Sequence, residues 1–226
     1  YDGSNFFGFQ VQTKSGVEVQ RTVQGELNKA VNQMAKQPVT PIKVVGASRT
    51  DTGVHAFGQV VHFDLPFDIN PVGVSKGLNT LLPRDILIKA VTKVSDDFHA
   101  RFSTHAKRYF YRVSTTAFTD PFKRHYTGHF HWHLDTSRIQ EALPDLIGEH
   151  DFASFAASGN QTASTVRTIT SAQLIEKPDE QELVFVFEGN AFLYNQIRIM
   201  VGVLLEIGNG RREIHDIQRL IAVKDR

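Results

Sequence analysis

The feature that most constrains the fold is a strand pair followed at once by an apolar helix. Residues 165–175 and 182–189 are two β-rich runs around the turn Lys177-Pro178-Asp179-Glu180, which predicts an antiparallel hairpin. A strongly apolar helix is predicted from about 191 to 207, and a short last helix starts near 213. Upstream, Asp135 reads as the cap of a helix with Ile139, Ala142, Leu143, Leu146 and Ile147 on one face, closed by Gly148. Pro144 lies inside that pattern and predicts a kink.

The first half has the same mixture. Thr22 is a predicted N-cap for a helix over 22–35 with Val23, Leu27, Ala30, Val31 and Met34 on one face. Residues 42–47 and 57–65 read as strands; in the latter Val61, Phe63 and Leu65 face one way and Val60, His62 and Asp64 the other. Asn70-Pro71 is a cap and first-turn proline for a helix ending near Pro83, and strands follow at about 86–94 and 107–113. Hairpin-type connections in both halves favour α+β with antiparallel sheets over a doubly wound parallel sheet. A boundary is expected near 98–106, where Asp96-Asp97 gives way to a basic-aromatic stretch.

Composition excludes several classes. With 226 residues, 41% hydrophobic and 22% charged, the chain suits one large domain or two small ones. No run approaches the roughly 18 apolar residues of a membrane span, and the start has neither the basic nor the apolar region of a signal peptide. The opening Tyr1-Asp2-Gly3 lacks a starting Met and reads as the end of a strand, so a preceding segment is expected. Absence of cysteine excludes a disulfide framework, a thiolate zinc site and a thiol nucleophile, and is compatible with the cytoplasm. Net charge is only +1, so any nucleic-acid binding must come from local basic clusters.

The most reactive-looking segment is Ser48-Arg49-Thr50-Asp51-Thr52-Gly53-Val54-His55-Ala56, just after an apolar strand. Asp-Thr-Gly alone is ordinary turn chemistry, with the carboxylate accepting local N–H bonds and Gly at positive φ. An aspartic-protease reading needs two carboxylates sharing a proton. The triplet occurs once here, which would require a homodimer, and the cationic Arg49 opposes proton sharing. A third reading takes Arg49 and Asp51 together: an ionised carboxylate at a rigid corner suits a nucleophile or a general base.

Those nine residues resemble the active-site motif of the tRNA pseudouridine synthases of the TruA type. The resemblance continues in order through Tyr1-Asp2-Gly3 with Gly8-Phe9-Gln10 (Phe9 where Trp is more usual), Thr22-Val23-Gln24, and Gly77-Leu78-Asn79 with Leu82-Pro83. Phe98-His99-Ala100-Arg101-Phe102-Ser103 and Lys107-Arg108-Tyr109-Phe110-Tyr111 follow. Gly148-Glu149-His150-Asp151-Phe152 with Ser154-Phe155 comes next, then Thr165-Val166-Arg167-Thr168-Ile169. Asn190-Ala191-Phe192 with Ile197-Arg198 and Met200-Val201-Gly202 completes it. The family normally has a strand before the position of Tyr1 and a loop and strand after that of Arg226.

The resemblance implies two tandem ferredoxin-like subdomains, 1–98 carrying the aspartate and 99–226 carrying a base-stacking tyrosine, joined across a central active-site cleft. It implies isomerisation of uridine to pseudouridine in the anticodon stem-loop of tRNA, at positions 38, 39 and 40, by a cytoplasmic homodimer with no cofactor or metal. Asp51 would be the catalytic carboxylate, Arg49 the base-flipping residue, Tyr109 the stacking platform, and Arg198 a partner near Asp51. Arg198 otherwise reads as a mid-helix cation needing either a buried acid or a phosphate. As a bare strand, Lys107, Tyr109 and Tyr111 share one face, with Arg108, Phe110 and Arg112 on the other. Phe98, His99, Ala100, Arg101 and Phe102, and the loop Ala156, Ala157, Ser158, Gly159 and Asn160, match tRNA-contacting stretches. His129, His131 and His133 alternate and would share one strand face, as zinc ligands can; alternating surface histidines on a hairpin are the commoner case. The alternative function is a non-catalytic RNA-binding module on the same scaffold.

Overall fold

Helix α1 (Val23–Met34) starts where its cap predicts, because the Thr22 hydroxyl accepts the Gly25 N–H. The computed structural model describes residues 1–159 and 162–224. Its chain divides into two units, Tyr1–Thr104 and His105–Arg226. Residues 98–104 go with the first unit, where Ala100 is buried and its N–H donates to His62 Nδ1.

In the first unit, β1 (Thr13–Lys14) pairs with β2 (Val17–Glu18), and β3 (Val45–Gly46) with β4 (Val61–His62), both antiparallel. Helix α2 (Pro71–Leu81) follows, its Asn70 side chain accepting the Val72 N–H and Pro71 at its first position. The two helices and the extended segments bury Phe6, Phe9, Leu27, Val31, Val44, Val74, Leu78 and Ile86. Val61, Phe63 and Leu65 pack against that core, which is the face the alternation predicts.

The strands here are far shorter than the sequence predicts. Around 42–44 the backbone bonds to side-chain amides of α1 instead of to a neighbouring strand. Asn32 accepts the Ile42 N–H and donates to its carbonyl, both at 2.8 Å. Asn28 accepts the Val44 N–H at 2.8 Å, and Gln24 donates to the Val44 carbonyl at 2.7 Å. Gln24, Asn28 and Asn32 are spaced by four and so share one helix face. No strand is assigned over 86–94: Asn79 of α2 takes both backbone groups of Ile88, at 2.8 and 3.0 Å.

The second unit is built on β5 (Lys107–Ser114), β6 (Gly128–His129), β7 (Gly148–Asp151), β8 (Val166–Lys177) and β9 (Glu182–Gly189), in the order β6-β5-β9-β8-β7. The hairpin of β8 and β9 is as predicted, with Gln181 at φ +50° in its turn. The expectation of purely antiparallel sheets needs correction, since β6 runs parallel to β5. The connection over 115–127 is long enough to bring the chain back for a parallel pair.

Helices α3 (Thr136–Ala142), α4 (Gln196–Gly208) and α5 (Asp216–Val223) cover the sheet, and Ile139, Leu146, Phe185, Phe187, Met200 and Leu204 fill the core. Pro144 acts as expected: after Ala142 the chain tightens into a 3-10 turn over Leu143–Leu146. That turn rotates Ile147 off the apolar face, so it is exposed rather than buried. Helix α4 begins later than predicted because Asn195, at φ +57°, breaks the helical path before it. Among the described residues no helix is long and apolar enough to cross a membrane.

One ionic cluster ties this unit together. The Glu182 side chain has 0% exposure and meets Arg112 of β5 and Lys123 of the 115–127 connection, the latter at 2.7 Å. Burial pushes the Glu182 carboxyl up, but Lys123 and Arg112 together outweigh it and hold the group below its ordinary range. A carboxyl with a depressed pKa adds stability above its unfolded value, about 4.3, and loses it as pH falls through the folded value. Glu182→Gln is therefore expected to lower Tm by about 2–6 °C at neutral pH. The gap from the unmodified chain should start to narrow below the unfolded value and close as pH falls through the folded one, as thermal unfolding across the acid range would reveal.

Candidate active site

Asp51 lies at the tip of the hairpin whose stem is β3 and β4. Above the Val45–His62 and Gly46–Val61 pairs, the Ala47 N–H donates to the Val60 carbonyl. The Gln59 amide then closes the stem by accepting the Ser48 N–H and donating to its carbonyl. Beyond that the chain turns, with the Val54 N–H donating to the Asp51 carbonyl at 3.1 Å. Gly53 supplies the left-handed residue of the turn, φ +75°. Asp51 itself is half-buried.

The tip is held from outside by the first nine residues. Tyr1 and Ala56 exchange two backbone bonds, 2.8 and 3.1 Å. Gly53 N–H donates to the Phe6 carbonyl and Phe9 N–H to the Thr50 carbonyl. The Tyr1 and Thr50 hydroxyls are 2.6 Å apart, and His55 Nδ1 accepts the Gly3 N–H at 3.0 Å. Gly3 is required by contact: a Cβ there would sit 2.1 Å from the Val54 carbonyl oxygen. Phe6 is in turn fixed by Arg21, whose guanidinium lies 4.1 Å over its ring and bonds both Asp85 oxygens. Asp85 raises the Arg21 pKa further above its already high value. The sequence gives no direct sign of Arg21 or of the close approach at Gly3; the only hints are that Gly3 lies within a matched motif and that Arg21 directly precedes another.

Arg49 is exposed on this tip, and among the described residues it enters no ion pair, with Asp51 or otherwise. The segment 98–102 is a tight turn in which His99 Nδ1 and carbonyl accept N–H bonds from the residues just after it. Arg101 and Phe102 are exposed, with Phe102 stacked on His99.

In the second unit Tyr109 lies on β5 opposite Phe187, half-buried, with the edge of Phe192 against it at 5.2 Å and 79°. The alternation holds: Tyr109 and Tyr111 are half-buried, Arg108 and Phe110 exposed. Phe192 belongs to the irregular stretch before α4, which also meets the loop after Ser154-Phe155, since Ala157 N–H donates to the Tyr194 carbonyl at 3.0 Å. In that loop Ala156 is buried, Ala157 half-buried, and Ser158 and Gly159 exposed, Gly159 at φ +88°; Asn160 lies outside the described residues. Asp151 supports the loop. The Thr165 hydroxyl, with the Ala153 N–H and Lys224, holds its carboxyl below the usual range against the opposing effect of burial.

Arg198 departs from the mid-helix, buried placement weighed above. It is exposed in the first turn of α4, and among the described residues no acid pairs with it. A cation there opposes the helix dipole, so an anion is its natural complement. The histidine run also differs from the expectation: β6 ends at His129, so His131 and His133 lie beyond the strand. His129 Nε2–H donates to the Thr116 carbonyl, and among the described residues no cluster could hold a metal ion.

Gly3→Ala tests the clamp on the Asp51 tip. Its Cβ must displace the 53–54 backbone, so a loss of about 1–3 kcal/mol is expected, with faster amide hydrogen exchange at Gly53 and Ala56. Unchanged exchange there would contradict the clamp.

The comparisons with known proteins agree over the whole chain. A family model described as tRNA pseudouridine synthase matches residues 1–103 and 142–226. Tyr109 falls between those ranges, in a stretch that full-length relatives do cover. The tRNA pseudouridine synthase A of Leuconostoc mesenteroides is 75% identical over 100% of this chain and 89% of its own length. That of Oenococcus oeni is 66% identical, over 100% and 87%, and that of Lactiplantibacillus plantarum 58%, over 100% and 84%. With the Asp51 tip and the second-unit sheet both inside so continuous a match, the chain belongs to the tRNA pseudouridine synthase family.

Proposed function

We propose that this chain isomerises uridine to pseudouridine in the anticodon stem-loop of tRNA, at positions 38, 39 and 40, with Asp51 as the catalytic carboxylate. The observation that carries the reading is Asp51 itself: a half-buried carboxylate on a turn braced by backbone bonds from two directions, in a chain of this family. Catalytic groups need such bracing, because small displacements cost large factors in rate.

The reaction breaks the N1–C1′ bond, turns the uracil over and joins C5 to C1′. The proton lost from C5 is matched by one gained at N1, so atoms balance without a co-reactant. Asp51 acts at the sugar–base junction as nucleophile or base. The target base must leave its stack, at a cost of a few kcal/mol. Arg49, exposed on the same tip, offsets part of that cost by entering the vacated space or holding a phosphate. Tyr109, its ring braced by Phe192, stacks the uracil, a contact worth about 1–3 kcal/mol in single-strand binders. Arg198 takes a phosphate at the start of α4, which suits its exposure and the helix dipole.

Phe98–Phe102 and Ala156–Asn160 make further RNA contacts. Each of the two units, Tyr1–Thr104 and His105–Arg226, is a ferredoxin-like subdomain in this proposal, with the boundary later than the 98/99 position that the sequence suggests. The proposal also includes a cytoplasmic homodimer, in which basic strips from two copies line one RNA groove despite a charge of +1 per chain.

Incubating the protein with unmodified tRNA, without cofactor, and mapping pseudouridine is the direct test; absence of product at 38–40 would sink the site assignment. Asp51→Asn is expected to lower turnover by at least about 10²–10⁴-fold while tRNA affinity stays within about threefold. An RNA-binding module without catalysis would give no product with either chain. Tyr109→Phe keeps the stacking face and removes the hydroxyl. Unchanged turnover would assign Tyr109 to stacking alone, and a fall of about tenfold or more would give its phenol a part in proton transfer at C5.

A further inference from the structure

We propose that His62 is a positioning residue, which fixes the RNA-contacting turn Phe98–Phe102 to the hairpin that carries Asp51. The inference rests on the reading of that turn as an RNA contact. His62 is the last residue of β4 and pairs with Val45 across the hairpin stem. Its neighbours Val61 and Phe63 pack into the core, so strand alternation sends the imidazole to the opposite side.

There its Nδ1 accepts the N–H of Ala100 at 3.1 Å. An accepting ring nitrogen is the unprotonated one, so the bond uses the neutral imidazole. The ring also lies 4.8 Å from His99 and 6.1 Å from Phe98, the latter edge-on at 86°. His99 stacks on Phe102 at 4.3 Å and 28°, and the Arg101 guanidinium is 6.0 Å from the Phe102 ring. A row of rings therefore runs from the hairpin stem out to Phe102, which is 77% exposed.

This arrangement is more specific than packing requires. A leucine at 62 would fill similar space but leave the Ala100 N–H unpaired beside a buried residue. An exposed phenyl ring next to an arginine is suited to an unpaired base and its phosphate. Because the turn is bonded to the same hairpin that ends in Asp51, RNA gripped at Arg101 and Phe102 is held in register with the carboxylate. Loss of His62 frees the turn and weakens the grip, while the chemistry at Asp51 proceeds once RNA is bound.

The test is steady-state kinetics on unmodified tRNA with His62→Ala, His62→Asn, Arg101→Ala and Phe102→Ala, each checked by urea unfolding. Asn places an acceptor oxygen close to where Nδ1 stands. His62→Ala is expected to raise KM for tRNA about five- to tenfold with kcat within about twofold. His62→Asn should recover most of that loss. The double variant His62→Ala/Arg101→Ala should cost less than the product of the two singles, since both act on one contact. If Arg101→Ala and Phe102→Ala leave KM unchanged, the RNA-contact reading fails and this inference with it. If they raise KM and His62→Ala does not, His62 alone is excluded. Equal losses in the Ala and Asn variants, tracking lowered stability, would reduce His62 to a structural residue and overturn the proposal.

Discussion

A strand pair of two residues cannot hold a loop in place through its own ladder, and the first unit depends on how that shortfall is met. Every N–H and C=O taken from water must find a partner. Here side-chain amides provide many of them: Gln24, Asn28 and Asn32 from one face of α1, Asn79 from α2, and Gln59 within the hairpin. The Asp51 tip is then fastened by the backbone of residues 1–9, which comes close enough only because position 3 has no Cβ. Arg21, bonded to Asp85 and lying over Phe6, fixes the residue whose carbonyl receives Gly53. Rigidity at Asp51 is thus the sum of many single bonds, most of them to residues far away in the sequence.

The second unit takes the other route. Its long strands satisfy one another, and the central pair β5 and β9 is in register from Lys107–Gly189 to Ser114–Glu182. Irregularity is confined to the stretch before α4, where it is used: Phe192 braces Tyr109, Tyr194 receives the Ala157 N–H, and Asn195 in the left-handed region starts the helix that carries Arg198. The buried Glu182 holds the 115–127 connection through Lys123, which keeps β6 beside β5.

Three helix starts are legible in the sequence because their causes are local. Thr22, Asn70-Pro71 and Asp135 cap within three residues, and each does so in the structure. Pro144 likewise announced its 3-10 turn. The strands at 42–47 and 57–65 are shorter than apolar alternation suggests, and 86–94 is no strand, because alternation reports which side is buried and says nothing of what the backbone bonds to. Helix α4 starts later than the apolar run suggests because Phe192 and Leu193 are apolar for packing, not helical, reasons. With the helix starting at Gln196, Arg198 falls in its first turn and is exposed, which leaves the phosphate alternative and removes the buried one. In the sequence His62 reads only as an outward-facing strand residue, since its partner lies at Ala100, far along the chain.

By itself, then, the sequence determined the mixture of helices and hairpins, the caps, the turn at Gly53 and the resemblance that singles out Asp51, Arg49 and Tyr109. All of these are written in contiguous residues, where spacing and backbone preference act directly. Tertiary structure alone decided which backbone groups fasten the Asp51 tip, that β6 is parallel, that Phe192 braces Tyr109, and that Arg198 is exposed. Those outcomes depend on hydrogen bonds and ring contacts between distant residues, and only the folded chain brings such partners within reach.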